Sequence, residues 1–211
     1  DLGLNNLVTS YDSLNHNSFI VNGRPLKSIN QYFNKKRALL MSYIGNRGTS
    51  NRIGKLTLKR LCKVNDYMHK ASRFIVNYCI EHHIGTIVIG NNKDWKQNCN
   101  MGKRNNQNFV SIPFEKLISM IQYKSEEVEI RVVITEESYT SKVDHYAGEE
   151  MCHHDSYLGK RIKRGLYRSS TGKILNADLN GAIGILRKVS HESYMQVVSR
   201  GGVETPSRIL V

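Results

Sequence analysis

The pattern of hydrophobic and polar positions predicts two short strands near the N-terminus, over residues 4–11 and 18–21, joined by a polar turn over residues 12–17. Asn22-Gly23 is a dipeptide typical of type I′ hairpin turns, so we expect a third short strand over residues 25–29. The three segments together predict an antiparallel meander, after which the chain becomes basic and helical.

A long amphipathic helix is predicted next, with Thr49 and Ser50 as N-cap candidates. Its apolar positions recur at spacings of three and four residues. They are Leu61, Val64, Met68, Ala71, Ile75 and Tyr78. The other face carries Lys59, Arg60 and Lys63. Such a face either is solvated or contacts a phosphate backbone, and both interpretations stay open.

The second half of the chain predicts two parallel strands and two more helices. Residues 86–89 form a short apolar run, as expected of a buried strand, and residues 130–134 predict another. A helix that begins near Pro113 connects them in a right-handed crossover. Asn176 is expected to cap a last helix, which runs through Lys188.

The element order, β-β-β-α-β-α-β-insertion-α, is that of an RNase H-like fold, an α/β architecture with a mixed sheet flanked by helices. We therefore expect residues 1–142 and 176–190 to form the core. Residues 143–175, which are polar and rich in charge, are predicted to be an inserted subdomain before the last helix, and residues 191–211 a loose tail. The chain opens at an aspartate without the apolar residues that usually lead a strand into one, as expected of the back part of a longer protein.

The charge balance favours a polyanionic partner. The 211 residues include 31 Lys and Arg against 18 Asp and Glu, a formal net charge of +13, and nucleic acid is the usual partner of so basic a chain. No apolar run is long enough to span a membrane. The four cysteines form no CxxC pair, which argues against a disulfide framework and an intact zinc ribbon and favours a cytoplasmic protein.

Two carboxylates, one near each end of the chain, suggest a metal site. Asp1 lies in the segment DLGLNNL and Asp178 in NADLNGA, each at the edge of an apolar element. Phosphodiester cleavage by two metal ions needs a few such carboxylates, because Mg²⁺ and Mn²⁺ prefer oxygen ligands. By spacing alone, a strand-end turn and a helix N-cap without a metal are the better explanation of the two segments.

Several segments together resemble the TnpB/OrfB-type transposon-encoded proteins, over residues 1–188. They are DLGLNN, IVIGNNKDWKQ, NMGKRNNQNFVSIPFEKLISMIQYKSE, EESYTSK and NADLNGA. The resemblance implies a RuvC-like, magnesium-dependent DNA endonuclease of a prokaryotic or viral mobile element, related to the type V CRISPR effectors. It also implies preceding domains that bind a guide RNA and target DNA. Asp1 matches the first RuvC aspartate, and Asp178 matches the aspartate of the third motif.

The chain departs from this family at the second motif, where most members carry a glutamate at the end of the apolar strand. Here that strand ends in Gly90-Asn91. Glu137 after the next strand is our preferred replacement, with Glu136 or Asp94 as alternates. If none of them replaces it, the site is inactive and the protein binds nucleic acid without cutting, or the chain is a remnant in which the α-ammonium of Asp1 repels Mg²⁺.

The predicted insertion also departs from the family, because many relatives carry two CxxC pairs there. Cys152, His153 and His154 are adjacent and cannot all face one ion, so no zinc site is expected. Basic residues in four segments are instead the predicted phosphate contacts. They are Lys59, Arg60, Lys63, Lys103, Arg104, Lys160, Arg161, Lys163 and Arg164.

Overall fold

A mixed three-stranded sheet contains both predicted N-terminal strands. The computed structural model describes residues 1–45, 48–91, 112–190 and 206–211. β1 (Asn6–Tyr11) pairs antiparallel with β2 (Ser18–Asn22), and the last strand of the chain, β8 (Ser207–Ile209), adds parallel to the far edge of β2. The expectation of a loose tail is thus wrong for these last residues, because the open edge of β2 offers them backbone hydrogen-bonding groups and Ile209 packs on the core.

The third predicted strand is wrong, because helix α1 (Arg24–Ile44) begins where the hairpin turn was expected. Gly23 has φ −90°, whereas a type I′ turn needs positive φ. Pro25 lies in the first turn of the helix, where its fixed φ suits helical geometry and its missing N–H donor is not needed. Asn22-Gly23 therefore ends β2 and starts a helix.

Helix α2 (Asn51–Glu81) forms as predicted. The Ser50 hydroxyl caps it by accepting a hydrogen bond from the backbone N–H of Ile53 at 3.3 Å. The apolar stripe is buried at Val64, Met68, Ala71 and Ile75, although Leu61 stays 45% exposed. α2 packs against α1 and against α3 (Phe114–Glu126), whose predicted apolar face is buried.

The predicted parallel pair is β3 (Thr86–Gly90) and β4 (Arg131–Thr135), which are paired in register from Thr86 opposite Arg131 to Gly90 opposite Thr135. They form a sheet separate from that of β1 and β2. The edge of β1 and the edge of β3 line one largely apolar slot of about 120 Å³. Asp1 lies at the end of this slot, where its backbone pairs with Thr9 in both directions at 3.1 and 2.9 Å.

Residues 143–175 have a core of their own that they share with the last helix. β5 (Lys160–Lys163), β6 (Leu166–Arg168) and β7 (Ile174–Asn176) form an antiparallel sheet, and α4 (Ala177–Arg187) follows directly. Tyr146, Tyr167 and Leu175 pack with apolar residues of α4. This segment therefore contains an apolar cluster that its polar composition did not predict.

The centre of this segment is organised by the fully buried carboxylate of Asp144. It accepts hydrogen bonds from the hydroxyls of Ser169 and Ser170 and from three backbone N–H groups. Such a network compensates the desolvation of a buried charge. In the described ranges, no helix is long and apolar enough to cross a membrane.

Candidate functional site

The carboxylate of Asp1 lies against the face of α4. Its Oδ2 atom is 3.0 Å from the point that a Cβ on Gly181 would occupy. A side chain at residue 181 would therefore press on this carboxylate, so glycine permits the close approach. The two backbone hydrogen bonds to Thr9 fix the other side of Asp1.

Asp178 lies in the first turn of the same helix. The side chain of Asn176 caps the helix by accepting from the N–H groups of Asp178 and Leu179 at 2.9 and 3.2 Å, as predicted. The Nδ2 group of Asn6 donates to Oδ2 of Asp178 at 2.7 Å. Asn6 belongs to the segment that also carries Asp1, so this hydrogen bond ties the two predicted metal-binding segments together.

Glu137 reaches from the segment after β4 into the space above Gly90, the last residue of β3. A Cβ on Gly90 would lie 2.6 Å from Cγ of Glu137 and 2.6 Å from Cδ1 of Ile185. The Glu137 side chain thus occupies the volume that a side chain on residue 90 would need. The end of β3 at Gly90 therefore lies beside the carboxylate of Glu137.

The two other candidates for the middle carboxylate have different positions. Glu136 is 68% exposed and pairs with Lys188 at 3.8 Å. The adjacent glutamates therefore separate, one facing solvent and one facing Gly90. Asp94 lies outside the described residues.

The charges of Glu137 and Asp178 both act on the α-amino group of Asp1. Burial lowers the pKa of the Asp1 α-amino group to about 6, while the negative charges of Glu137 and Asp178 both oppose this shift. Burial raises the pKa of Glu137, against the attraction of the α-ammonium and of Lys188. The α-ammonium is thus a cation that both carboxylates attract.

The donors suit a hard cation in type, since all three are carboxylates. Within the part of the chain that the structure describes, however, no three His, Cys, Asp or Glu side chains lie close enough to enclose an ion. The three carboxylates are therefore of a suitable chemical type but do not surround one point in this structure.

His145, to which the sequence assigned no role, is fully buried beside the site. Burial lowers its pKa to about 4, so the ring is neutral at physiological pH. Its Nε2 group then donates to the carbonyl of Thr140 at 2.6 Å, while Nδ1 accepts from Arg187 at 3.3 Å. The ring packs on Gly184, and this glycine in the last helix was the signal that the sequence offered.

The predicted phosphate contacts fall on two described surfaces. Lys59, Arg60 and Lys63 line a cavity of about 250 Å³ between α1 and α2, where the Arg60 guanidinium lies 5.1 Å from the centre of the Phe33 ring. A second group lies on the β5–β6 hairpin and comprises Lys160, Arg161, Lys163 and Arg164. Lys103 and Arg104 lie outside the described residues.

Comparisons with known proteins divide the chain into two matched parts. Residues 1–96 match the family model OrfB_IS605, described as "Probable transposase", and residues 114–185 match "Cas12f1-like, TNB domain". A solved structure titled "Cryo-EM structure of the Cas12f1-sgRNA-target DNA complex" has a similar fold, with a TM-score of 0.65 at 17% identity. The match covers 87% of this chain and 47% of that one, so this chain spans about half its length. No curated protein matches.

Proposed function

Since this chain is a transposon-encoded protein of the TnpB/OrfB type, we propose that it carries the RuvC-like nuclease centre of an RNA-guided DNA endonuclease. Asp1, Glu137 and Asp178 would be the metal ligands of this centre. The observation that carries the proposal is the Glu137 side chain above Gly90. It supplies a carboxylate beside the strand end where the family's second-motif glutamate is missing.

The geometry of the parallel pair explains how the glutamate could move. β3 and β4 are neighbours in register, so their carboxyl ends, at Gly90 and Thr135, meet at the same edge of the sheet. Glu137 follows the end of β4 by two residues. Its side chain therefore occupies the volume that a side chain on residue 90 would occupy.

An RNase H-like core is supported by the slot between β1 and β3. A strand in this slot would continue the backbone pairing that Asp1 already makes with Thr9. It would join the two sheets into one mixed sheet flanked by helices, with Asp1, Gly90 and Glu137 near one edge. That arrangement is the one in which an RNase H-like fold gathers its carboxylates.

In the proposed site, some residues would bind the metal ions and others would orient the ligands. When bound, Mg²⁺ or Mn²⁺ would activate a water molecule and stabilise the leaving oxygen of a phosphodiester. Asn6 and the N-cap Asn176 fix the orientation of Asp178. Glu137 must lose its proton to act as a ligand, and because burial raises its pKa, metal binding would strengthen as the pH rises.

The partners that we propose are a guide RNA, target DNA and the preceding domains of the complete protein. The net charge of +13 suits nucleic acid, and the similar solved structure is titled as a complex with both. In such a complex, base pairing would read the sequence while the protein holds the nucleic-acid backbones.

The experiment that tests the centre is a titration of the chain with Mn²⁺, followed by the electron paramagnetic resonance signal of the free ion, together with a DNA cleavage assay. Glu137→Gln keeps the size of the side chain and removes its charge. We expect it to weaken Mn²⁺ binding and to abolish cleavage, as Asp178→Asn should. The matched control is Glu136→Gln, which removes the exposed neighbour's charge and should change neither result. Wild-type binding and cleavage by the Glu137 variant would refute the relocation.

A second candidate is a binding protein without nuclease activity. It is favoured by the absence, among the described residues, of a group of side chains already closed around a metal. Such a protein would bind nucleic acid equally well in wild-type and Asp178→Asn forms. It would cleave DNA neither with Mg²⁺ nor with Mn²⁺.

A further inference from the structure

The edge of β4 that faces away from β3 has no strand partner among the described residues. β4 pairs with β3 alone, and the two strands form a sheet of their own. On the side of β3, the N–H of Arg131 donates and the carbonyl of Thr135 accepts, each at 2.9 Å. In a strand, the N–H and carbonyl of one residue point to one side and those of the next residue to the other. The backbone groups of Val132 and Ile134 therefore face this open edge.

The open edge of β4 lacks most of the features with which proteins usually protect such a strand. Those features are charged side chains, proline, bulges and very short strands. β4 pairs with β3 in unbroken register over five residues, and Arg131 at its first position is its only charged residue. Ile134 is 45% exposed, and Val132 and Val133 are only partly buried. An exposed apolar edge of this kind is a template on which a further strand can pair.

A groove of about 380 Å³ lies beside the first half of β4. It is lined by Gln122, Glu126, Glu129, Ile130, Arg131 and Val132. The end of α3 and the turn after it thus form one wall, and β4 forms the other. Side chains of neighbouring strands that lie opposite each other share a face of the sheet, so a residue added opposite Val132 would place its side chain over the groove. An open edge beside a pocket for alternate side chains is the arrangement that binds an extended peptide as a strand.

The groove is acidic, although the chain as a whole carries a net charge of +13. Glu126 and Glu129 are exposed and form none of the ion pairs found between described residues. With the guanidinium of Arg131, these two carboxylates give the lining a formal charge of −1. Glu136, which is 68% exposed, adds a carboxylate just beyond the other end of β4. The surroundings of the open edge therefore favour a cationic ligand.

This charge distinguishes between the possible occupants of the edge. A second copy that paired antiparallel through its own β4 would bring the acidic residues of both copies together, and like charges opposite each other destabilise a sheet. A segment with Lys or Arg between apolar residues would instead bring a cation to the groove. The chain already contains one such addition, because β8, with Arg208 at its centre, pairs with the edge of β2 over only three residues.

We propose that the open edge of β4 is an interaction surface that binds an extended, basic segment of a partner protein as an additional strand. The backbone groups of Val132 and Ile134 bond to the added strand, while Glu126 and Glu129 hold one of its Lys or Arg side chains in the groove. The proposal goes beyond the proposed nuclease centre and does not depend on it, because strand addition involves none of the three carboxylates of that centre.

The test measures the binding of two fluorescein-labelled heptapeptides to the chain by anisotropy. In each peptide the central residue lies between two valines, which are followed outwards by threonine and then glycine. The central residue is lysine in one peptide and glutamate in the other. We expect the lysine peptide to bind about threefold to fivefold more tightly, as exposed ion pairs allow. The net charge of the chain favours the opposite preference, so this result reports the groove alone.

The preference for lysine should disappear when the charges of the groove are removed. Glu126→Gln/Glu129→Gln keeps the size of both side chains, so we expect it to bind the two peptides equally well. The matched control is Glu115→Gln/Glu150→Gln, which removes the same charge from exposed positions outside the groove and should keep the preference. An unchanged preference in the groove variant, or a lost preference in the control, would overturn the proposed contact.

Amide hydrogen exchange followed by NMR locates the bound peptide. In the free chain, the N–H groups of Val132 and Ile134 should exchange rapidly, and those of Val133 and Thr135, which face β3, should exchange slowly. At a lysine-peptide concentration of ten times Kd, exchange at Val132 and Ile134 should slow about tenfold. Ile134→Pro removes an edge-facing donor without breaking the pairing with β3, and we expect it to weaken binding by about tenfold. Ile134→Thr keeps the donor and should change affinity only about threefold.

Several results would overturn the proposal. They include equal affinity for the two peptides in the wild type and peptide protection only at other strands. Slow exchange of Val132 and Ile134 in the free monomer would mean that the chain itself covers the edge. Protection that appears only as the chain concentration rises would identify a second copy as the occupant. Circular dichroism checks that Ile134→Pro is folded, and if it is not, hydrogen exchange in the wild type and the charge variants decide the question.

Discussion

The proposed relocation of the middle carboxylate from β3 to Glu137 can be tested by placing a glutamate at the end of β3. In Gly90→Glu alone, the new Cβ would lie 2.6 Å from Cγ of Glu137 and from Cδ1 of Ile185, so one of them must shift. Overpacking of this kind costs about 1–3 kcal/mol. A second carboxylate beside Glu137 adds repulsion of the order of 4 kcal/mol at a separation of about 4 Å and an effective dielectric constant near 20. We therefore expect Gly90→Glu to be strongly destabilised.

Adding Glu137→Ala to Gly90→Glu should reverse most of this cost. The substitution removes both the Cγ contact and the like charge, and the remaining contact is with the flexible end of Ile185. The double variant also returns a carboxylate to the strand end where most family members have one. We expect Mn²⁺ affinity to be lost in Glu137→Ala and largely restored in the double variant.

The assay is a double-mutant cycle with urea unfolding for stability and Mn²⁺ titration for binding. Independent sites give additive changes within about 0.3–0.5 kcal/mol, whereas the contacts above predict a coupling of several times that size. Additive effects on stability, or a double variant that binds Mn²⁺ no better than Glu137→Ala, would refute the idea that residues 90 and 137 share one volume. A cycle between Gly90→Glu and Glu136→Ala is the control and should show far less coupling, because Glu136 faces solvent.

Three further predictions concern buried titratable groups. In the 211-residue polypeptide that begins at Asp1, without the preceding domains proposed above, the α-amino pKa of Asp1 is about 6 when folded, against an ordinary value of 8.0. The unfolded polypeptide therefore binds more protons between these pH values, and its stability should rise from pH 6 to 8 by up to about 2.7 kcal/mol. N-terminal acetylation should flatten this rise in urea unfolding. Asp144→Asn should lower the free energy of unfolding by about 2–4 kcal/mol, because the side chain that accepts five hydrogen bonds loses an acceptor oxygen and its charge. If no zinc ion stabilises this segment, EDTA should leave the melting temperature of the wild type unchanged. The pKa of His145 is about 4 when the chain is folded, so its contribution to stability should be lost as the pH falls from 6.5 towards 4. This acid sensitivity should be reduced in His145→Gln. An unchanged dependence of stability on pH would contradict the role of a neutral ring.

Local patterns were sufficient to predict most elements of the fold. The spacing of Val64, Met68 and Ala71 predicted the buried face of α2, and Asn176 was correctly placed as the cap of the last helix. The turn at Asn22-Gly23 was predicted wrongly because a dipeptide signal was weighed without Pro25, which favours the first turn of a helix that begins at Arg24. The pairing of β8 with β2 could not be predicted, since it depends on an open sheet edge far away in sequence.

The choice between Glu136 and Glu137 shows where sequence reasoning needs geometry. Adjacent side chains point in opposite directions, so one of the two had to face solvent, but the sequence does not say which. The deciding feature is Gly90, across the parallel pair, because only a residue without a side chain leaves room for Glu137. The glycine at the position where most family members have a glutamate was therefore informative. It indicated a missing carboxylate and also a free volume that a neighbouring side chain could occupy.

If Asp1, Glu137 and Asp178 are the metal ligands, as we propose, the same geometry would explain why the middle carboxylate could move while the outer two could not. A metal ion requires oxygen atoms at given positions and is indifferent to which strand supplies them. β3 and β4 end together, so a carboxylate two residues beyond β4 can serve the end of β3. Asp1 and Asp178 have no such neighbour among the described elements: one is held by Thr9 and Gly181, and the other by the cap of its helix and by Asn6. On this reasoning, a metal ligand can relocate from one strand to a paired parallel strand. A ligand that is fixed by a helix cap or by a close approach to glycine cannot.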